Sequence, residues 1–122
     1  MKAVWVAIIL LILTTSLVTI NSIIVGNMLS RVEEMVSDVD IDELGVAEEE
    51  YNEILKEYKR YSKFIAFSVK HSEIQGIEEL LYELIGACKA GEISDAIEIK
   101  SRLVGALSHT RRLAGINYDS VF

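Results

Sequence analysis

His71 and His109 are the only two imidazoles in the chain, and they lie on either side of a Lys89-Ala90-Gly91 stretch. If the flanking segments are helices folded into a hairpin, a turn centred near residue 90 would bring His71 opposite His109. Helical bundles build metal sites in this way, from neutral imidazoles on facing helices with a carboxylate such as Glu73 or Glu78 completing the set. Two histidines with no third ligand fixed beside them are weak evidence, and the favoured reading is ordinary helix-end residues bonded to backbone or water. His71, His109 and Glu73 are therefore metal candidates only, and the expectation is that no metal or cofactor is bound.

Three other patterns invite a chemical reading. The stretch "DVDIDELGVAEE", Asp38 to Glu49, places acids at four ligand positions of a calcium loop. Glu43, however, stands where the loop needs its turn-forming glycine, and Leu44 belongs to a helical stripe, so an acidic interhelix turn is expected instead. Tyr51, Tyr58 and Tyr61 follow one helical face, where each ring can pack while its hydroxyl reaches water; core or rim packing is the ordinary reading, and they are also the candidate interaction surface. Cys88 is the one cysteine, on an apolar helical face, and reads as a small buried thiol. No nucleophile elbow, glycine-rich phosphate loop or zinc-protease helix presents the Ser, His and acidic residues, so the chain is expected not to be an enzyme.

The elements that must position these residues are helices. The 122 residues contain no Pro and 7 Gly, and Leu, Ile, Val, Glu and Lys dominate, which is a helical composition rather than that of a turn-rich sheet. Met28, Val32, Met35 and Val39 recur at helical spacing, so the first helix is expected to run to about Val39. Asp40 with Glu43 makes a candidate capping box for the second helix, whose seam is Leu44, Ala47, Tyr51, Ile54, Tyr58, Tyr61, Ile65 and Ser68. A new phase, Ile74, Ile77, Leu81, Leu84 and Cys88, predicts a break near residues 70 to 73, with Ser72 and Gln75 as a second capping box. Gly91 ends that helix. The last helix is expected to bury Ile93, Ala96, Ile97, Leu103, Leu107 and Leu113 and to end at Gly115-Ile116-Asn117. No stripe can be buried by its own helix, so the fold class expected is all-α, a short antiparallel bundle of three to four helices.

Ahead of the bundle runs the apolar stretch Ala3 to Val25, which as a helix spans about 34 Å and matches a hydrocarbon core of about 30 Å. No Ala-x-Ala cleavage site follows it, and Thr14, Thr15, Ser16 and Thr19 can return their hydroxyls to helix carbonyls. It reads as an uncleaved anchor, residues 1–26, with residues 27–122 as the second domain and the lipid bilayer as partner of residues 3–25. Lys2 on one side, against Arg31 offset by Glu33 and Glu34 on the other, predicts a cytoplasmic N-terminus and an extracytoplasmic bundle.

With Lys2 set aside, 11 basic and 19 acidic residues remain, a net charge of −8, which argues against nucleic acid as a partner. The acids concentrate in residues 31–57, which hold 11 acidic and 2 basic side chains, as a solvated helical face or a surface for a basic partner. Arg111 and Arg112 suit the end of their helix dipole, and would touch lipid phosphates if that end returns toward the bilayer.

The anchor, the acidic helix, "KHSEIQGIEELLYEL" from Lys70 to Leu84, "GEISDAIEIKSRL" from Gly91 to Leu103 and the closing "GIN" together resemble the bacterial family called domain of unknown function 4363. The resemblance covers nearly the whole chain and implies a small helical protein anchored in the bacterial plasma membrane, with no reaction and no site attached. The leading expectation is a non-enzymatic single-pass membrane protein whose bundle binds a protein partner or itself. The alternative is a small ligand- or metal-sensing bundle that acts through a membrane partner.

Overall fold

The computed structural model describes the backbone of residues 1–66 and 69–121, and the side chains of residues 1–66 and 69–114. Four helices make the fold: α1 (Lys2–Asp38), α2 (Leu44–Ile65), α3 (His71–Ala90) and α4 (Ile93–Val121). Each packs on its neighbours in chain order and α4 closes the ring against α1, giving an antiparallel four-helix bundle. Short connections at 39–43, 66–70 and 91–92 enforce the up-and-down path.

Heptad-like stripes face inward from all four helices. Val25, Leu29, Val32, Val36 and Val39 come from α1 and its end, Ala47, Tyr51, Ile54 and Tyr58 from α2, and Ile74, Ile77, Leu81, Leu84 and Cys88 from α3. The steps of three and four keep each stripe on one side of its helix, which is the condition for near-parallel packing. Ser68, placed at the end of the α2 seam on spacing, lies outside the described residues.

Two ends follow the sequence reading closely. The break between α2 and α3 falls at residues 66–70, and Gly91 takes the left-handed conformation at φ 75°. Its N–H donates to the Cys88 carbonyl at 3.2 Å, and the Glu92 N–H donates to the Ala87 carbonyl at 3.0 Å, which is the two-bond cap a glycine permits at a helix end.

Three expectations are corrected. Neither capping box forms. Asp40 Oδ1 instead accepts the Asp42 N–H at 3.0 Å in the turn, α2 starts after Glu43, and α3 starts after Lys70, both without a side-chain cap. A serine or aspartate can cap only when the helix starts immediately after it, and packing sets both starts elsewhere. On α4, Ile93 and Ile97 are exposed and Leu113 is only half-buried, while Ala96, Ile99, Leu103, Leu107, Thr110 and Ala114 face the core. The small residues let α4 approach its neighbours, a choice made by fit rather than by hydrophobicity. Finally, Gly115 does not stop α4, which continues to Val121, because a lone glycine costs a helix only about 1 kcal/mol and no Pro follows.

Candidate functional site

The feature that stands out is the unequal use of α1. Its C-terminal part, from Val25, lies in the bundle core, whereas most of its apolar side chains from Val4 to Ile24 are exposed among the described residues. Leu17 is 68% exposed and Trp5 65%. α1 is 37 residues long, or about 55 Å, and is the one helix among the described residues long and apolar enough to cross a membrane. Thr14 and Thr19 donate their hydroxyls to the Leu10 and Thr15 carbonyls at 2.8 Å, so they present no unpaired donor along the apolar surface.

The remaining contacts orient the bundle on this helix. Arg31 Nε lies 3.5 Å from Glu57 Oε1, and Arg111 lies 3.4 Å from Glu33 Oε2, so α2 and α4 both run back toward the apolar end of α1. At the far end, Lys100 Nζ donates to the Val39 carbonyl at 2.9 Å. The last turn of α1 has no basic residue of its own, and a lysine from α4 supplies the cation that the end of its dipole favours.

The bundle is thereby polarised. Its distal end carries Asp38, Asp40, Asp42, Glu43 and the Glu48–Glu50 run, together with Glu92 and Asp95 across the α3–α4 turn. The Glu92 and Asp95 carboxyls share a hydrogen bond, and that bond, followed by their mutual repulsion, pushes the Glu92 carboxyl up from its ordinary value. Exposed Val46, Ile93 and Ile97 lie at this same acidic end.

The sequence-selected residues fall into different places. His71 and His109 are both exposed, and the 3.4 Å pair of Arg102 with Glu83 puts His109 about level with Gly76, more than a turn from His71. Glu73 is half-buried on α3. Among the described residues no three His, Cys, Asp or Glu side chains come together in a metal-holding group. The calcium-loop segment is split, with Asp38 closing α1 and Glu49 inside α2, so its acids do not converge.

Tyr51 and Tyr58 lie in the core, where packing along the seam places them. Both are 0% exposed, because the seam they follow is the inward face of α2. The Tyr58 hydroxyl donates to the Ile74 carbonyl at 2.9 Å and ties α2 to α3, while the Tyr51 hydroxyl is buried without a hydrogen-bond partner among the described residues. Burial pushes both hydroxyls well above the ordinary tyrosine range. Tyr61 remains at the margin, donating to Glu57 Oε1 at 2.6 Å, and that bond raises its hydroxyl too. Cys88 is buried, and burial raises its thiol. Sequence reasoning missed Val46, Ile93 and Ile97 as exposed side chains, since nothing in an apolar residue type separates a stripe from its flank.

No protein-family model, curated protein or solved structure matches the chain. The resemblance drawn from its motifs therefore stands on those residues alone.

Proposed function

We propose that the chain is a non-enzymatic single-pass membrane protein. In this reading residues 3–25 lie in the bilayer, the N-terminus is cytoplasmic, and the bundle works outside the membrane as an interaction module. The observation that carries the reading is the continuity of α1. One unbroken helix is bare along its apolar part and built into the core from Val25 onward, so the span and the bundle form a single rigid lever. Confinement to a membrane raises the bundle's effective concentration for neighbours in the same plane. The proposed place in a small helical family anchored in the bacterial plasma membrane is supported by the same architecture.

The partner is best sought at the distal end. Val46, Ile93 and Ile97 offer apolar contact among many carboxylates, a combination that fits a protein surface with an apolar centre and a basic rim. Two copies meeting through that end would oppose like charges, which disfavours self-association there.

Two experiments test this. Mass analysis of the protein extracted from its own membranes is expected to find residues 1–26 retained, and loss of the first two dozen residues would refute the anchor. A photocrosslinking amino acid at Ile97 is expected to trap one discrete protein in those membranes, while the same group at exposed Lys56 traps none. Adducts at neither position, or only adducts of the chain with itself, would refute the interaction module.

A further inference from the structure

The end of the bundle nearest the bare part of α1 differs from the acidic far end. Residues 58–77, which close α2, make the turn and open α3, contain Lys59, Arg60, Lys63 and Lys70 against Glu73 as the only acid. Lys59 is engaged by Glu78 at 3.9 Å and by the Tyr82 hydroxyl and ring. Arg60, Lys63 and Lys70 are exposed and make no ion pair or side-chain hydrogen bond among the described residues. Phe64, 56% exposed, sits between them, so that Arg60, Lys63 and Phe64 are neighbours at i, i+3 and i+4 on the outer face of the last turns of α2.

Their height relative to α1 follows from the Arg31–Glu57 pair. Ile65 is eight residues beyond Glu57, and Ile23 is eight before Arg31, so Lys63 to Ile65 at the end of α2 lie about level with Val25 to Ile23. That is where α1 emerges from the core and its bare apolar surface begins. Polar head groups extend roughly 5 to 8 Å beyond the hydrocarbon on each side, and at 1.5 Å per residue Lys63 falls inside that layer, with Arg60 at about its outer edge.

We propose that this end of the bundle is a lipid-contact surface, on which Arg60, Lys63 and Lys70 bind the phosphates of anionic phospholipid head groups and Phe64 enters the interface between them. This rests on insertion of residues 3–25. It adds that the bundle stands directly on the bilayer rather than on a stalk, with its acidic end held outward by the same surface charge. Cations at a headgroup plane are attracted by the negative surface potential, and an aromatic ring beside them buries apolar area that water otherwise covers.

The test uses the full chain in nanodiscs of neutral phosphatidylcholine, with or without about a third phosphatidylglycerol, both carrying a shallow spin-labelled lipid as quencher. One protein retains Trp5 as its only indole, and a second carries Trp5→Phe with Phe64→Trp. The indole introduced at position 64 is expected to be quenched at least twofold more in the anionic discs, an effect that fades at high salt. Each cation near the surface favours the contacting state about fivefold, so Arg60→Gln, Lys63→Gln and Lys70→Gln combined are expected to weaken contact about 100-fold and abolish the difference. Arg112→Gln, on α4 beside the Arg111–Glu33 pair and about 10 Å farther out than Lys63, is expected to leave it unchanged.

Equal quenching of position 64 in both lipids, or none in either, with Trp5 still quenched, overturns the headgroup contact and leaves the anchor standing. Failure to quench Trp5 from the shallow spin label overturns the anchor itself. Equal effects of Arg112→Gln and the triple change would make the attraction one of net charge, and would also overturn the assigned surface.

Discussion

Tyr51 and Tyr58 sit two turns apart on one helix, both fully buried, and removal of the same oxygen atom from each is expected to change stability in opposite directions. Tyr58→Phe deletes the 2.9 Å bond to the Ile74 carbonyl. That carbonyl lies inside α3, where the helical ladder supplies another N–H, so no orphan is left and the cost is about 1 kcal/mol, the net worth of one hydrogen bond. Tyr51→Phe instead deletes a hydroxyl that was dehydrated on folding and gained no partner among the described residues. Leaving such a group unsatisfied costs about 1 to 3 kcal/mol, so its removal is expected to stabilise the bundle by about 1 kcal/mol or more. For a bundle of this size 1 kcal/mol moves the melting temperature by about 4 to 8 °C, and the two variants are expected to separate by about 10 °C around the parent. Thermal melts of the full chain in one mild detergent, followed by far-ultraviolet circular dichroism, measure this directly. Shifts of the same sign would refute the assignment of partners at the two hydroxyls. The pH dependence supplies a second check on the same pair. Burial raises both hydroxyls in the folded state, so their contribution is fully present below the ordinary value of about 10 and is lost as pH rises past it. The loss approaches about 1.4 kcal/mol per pH unit for each tyrosine, and Tyr58→Phe is expected to remove its own share of the slope.

Two further outcomes are expected. Gly91→Ala is expected to destabilise by about 1 kcal/mol through its left-handed backbone, although no atom lies within 4 Å of the added methyl, whereas Gly105→Ala on exposed α4 is expected to stabilise by up to about 1 kcal/mol. Paired urea titrations of the full chain check both signs. The buried, raised Cys88 thiol is expected to resist alkylation in the folded protein and to react at the rate of a free thiol in denaturant, which a mass-resolved time course reads.

Much of the fold was legible because heptad spacing is a local property. The α2 and α3 stripes and the Gly91 turn follow from residue type and interval, and the structure places them as read, while α3 already begins at His71, a little ahead of the break expected near residues 70 to 73. The α4 stripe was misread by choosing its largest apolar residues, since Ala96, Thr110 and Ala114 are buried for their small size against neighbouring helices. The capping boxes failed for a related reason, because helix starts are set by packing within a few residues of any local signal. On the candidate surface, tyrosines chosen for an amphipathic character turned out to lie at the centre of the bundle.

The sequence by itself determined that the chain is helical, that one segment is too long and too apolar to be matched by the rest, and that acids crowd the residues after it. Those are properties of composition and period, and they need no knowledge of which helix meets which. Tertiary structure alone decided that α4 folds back beside α1 toward its bare apolar part, that Lys100 caps a helix 61 residues earlier, and that opposite ends of the bundle carry opposite charge. The reason is that an antiparallel bundle brings together residues far apart in the chain at one height. Charge that looks scattered along the sequence is sorted by that height into a basic end beside the apolar helix and an acidic end away from it.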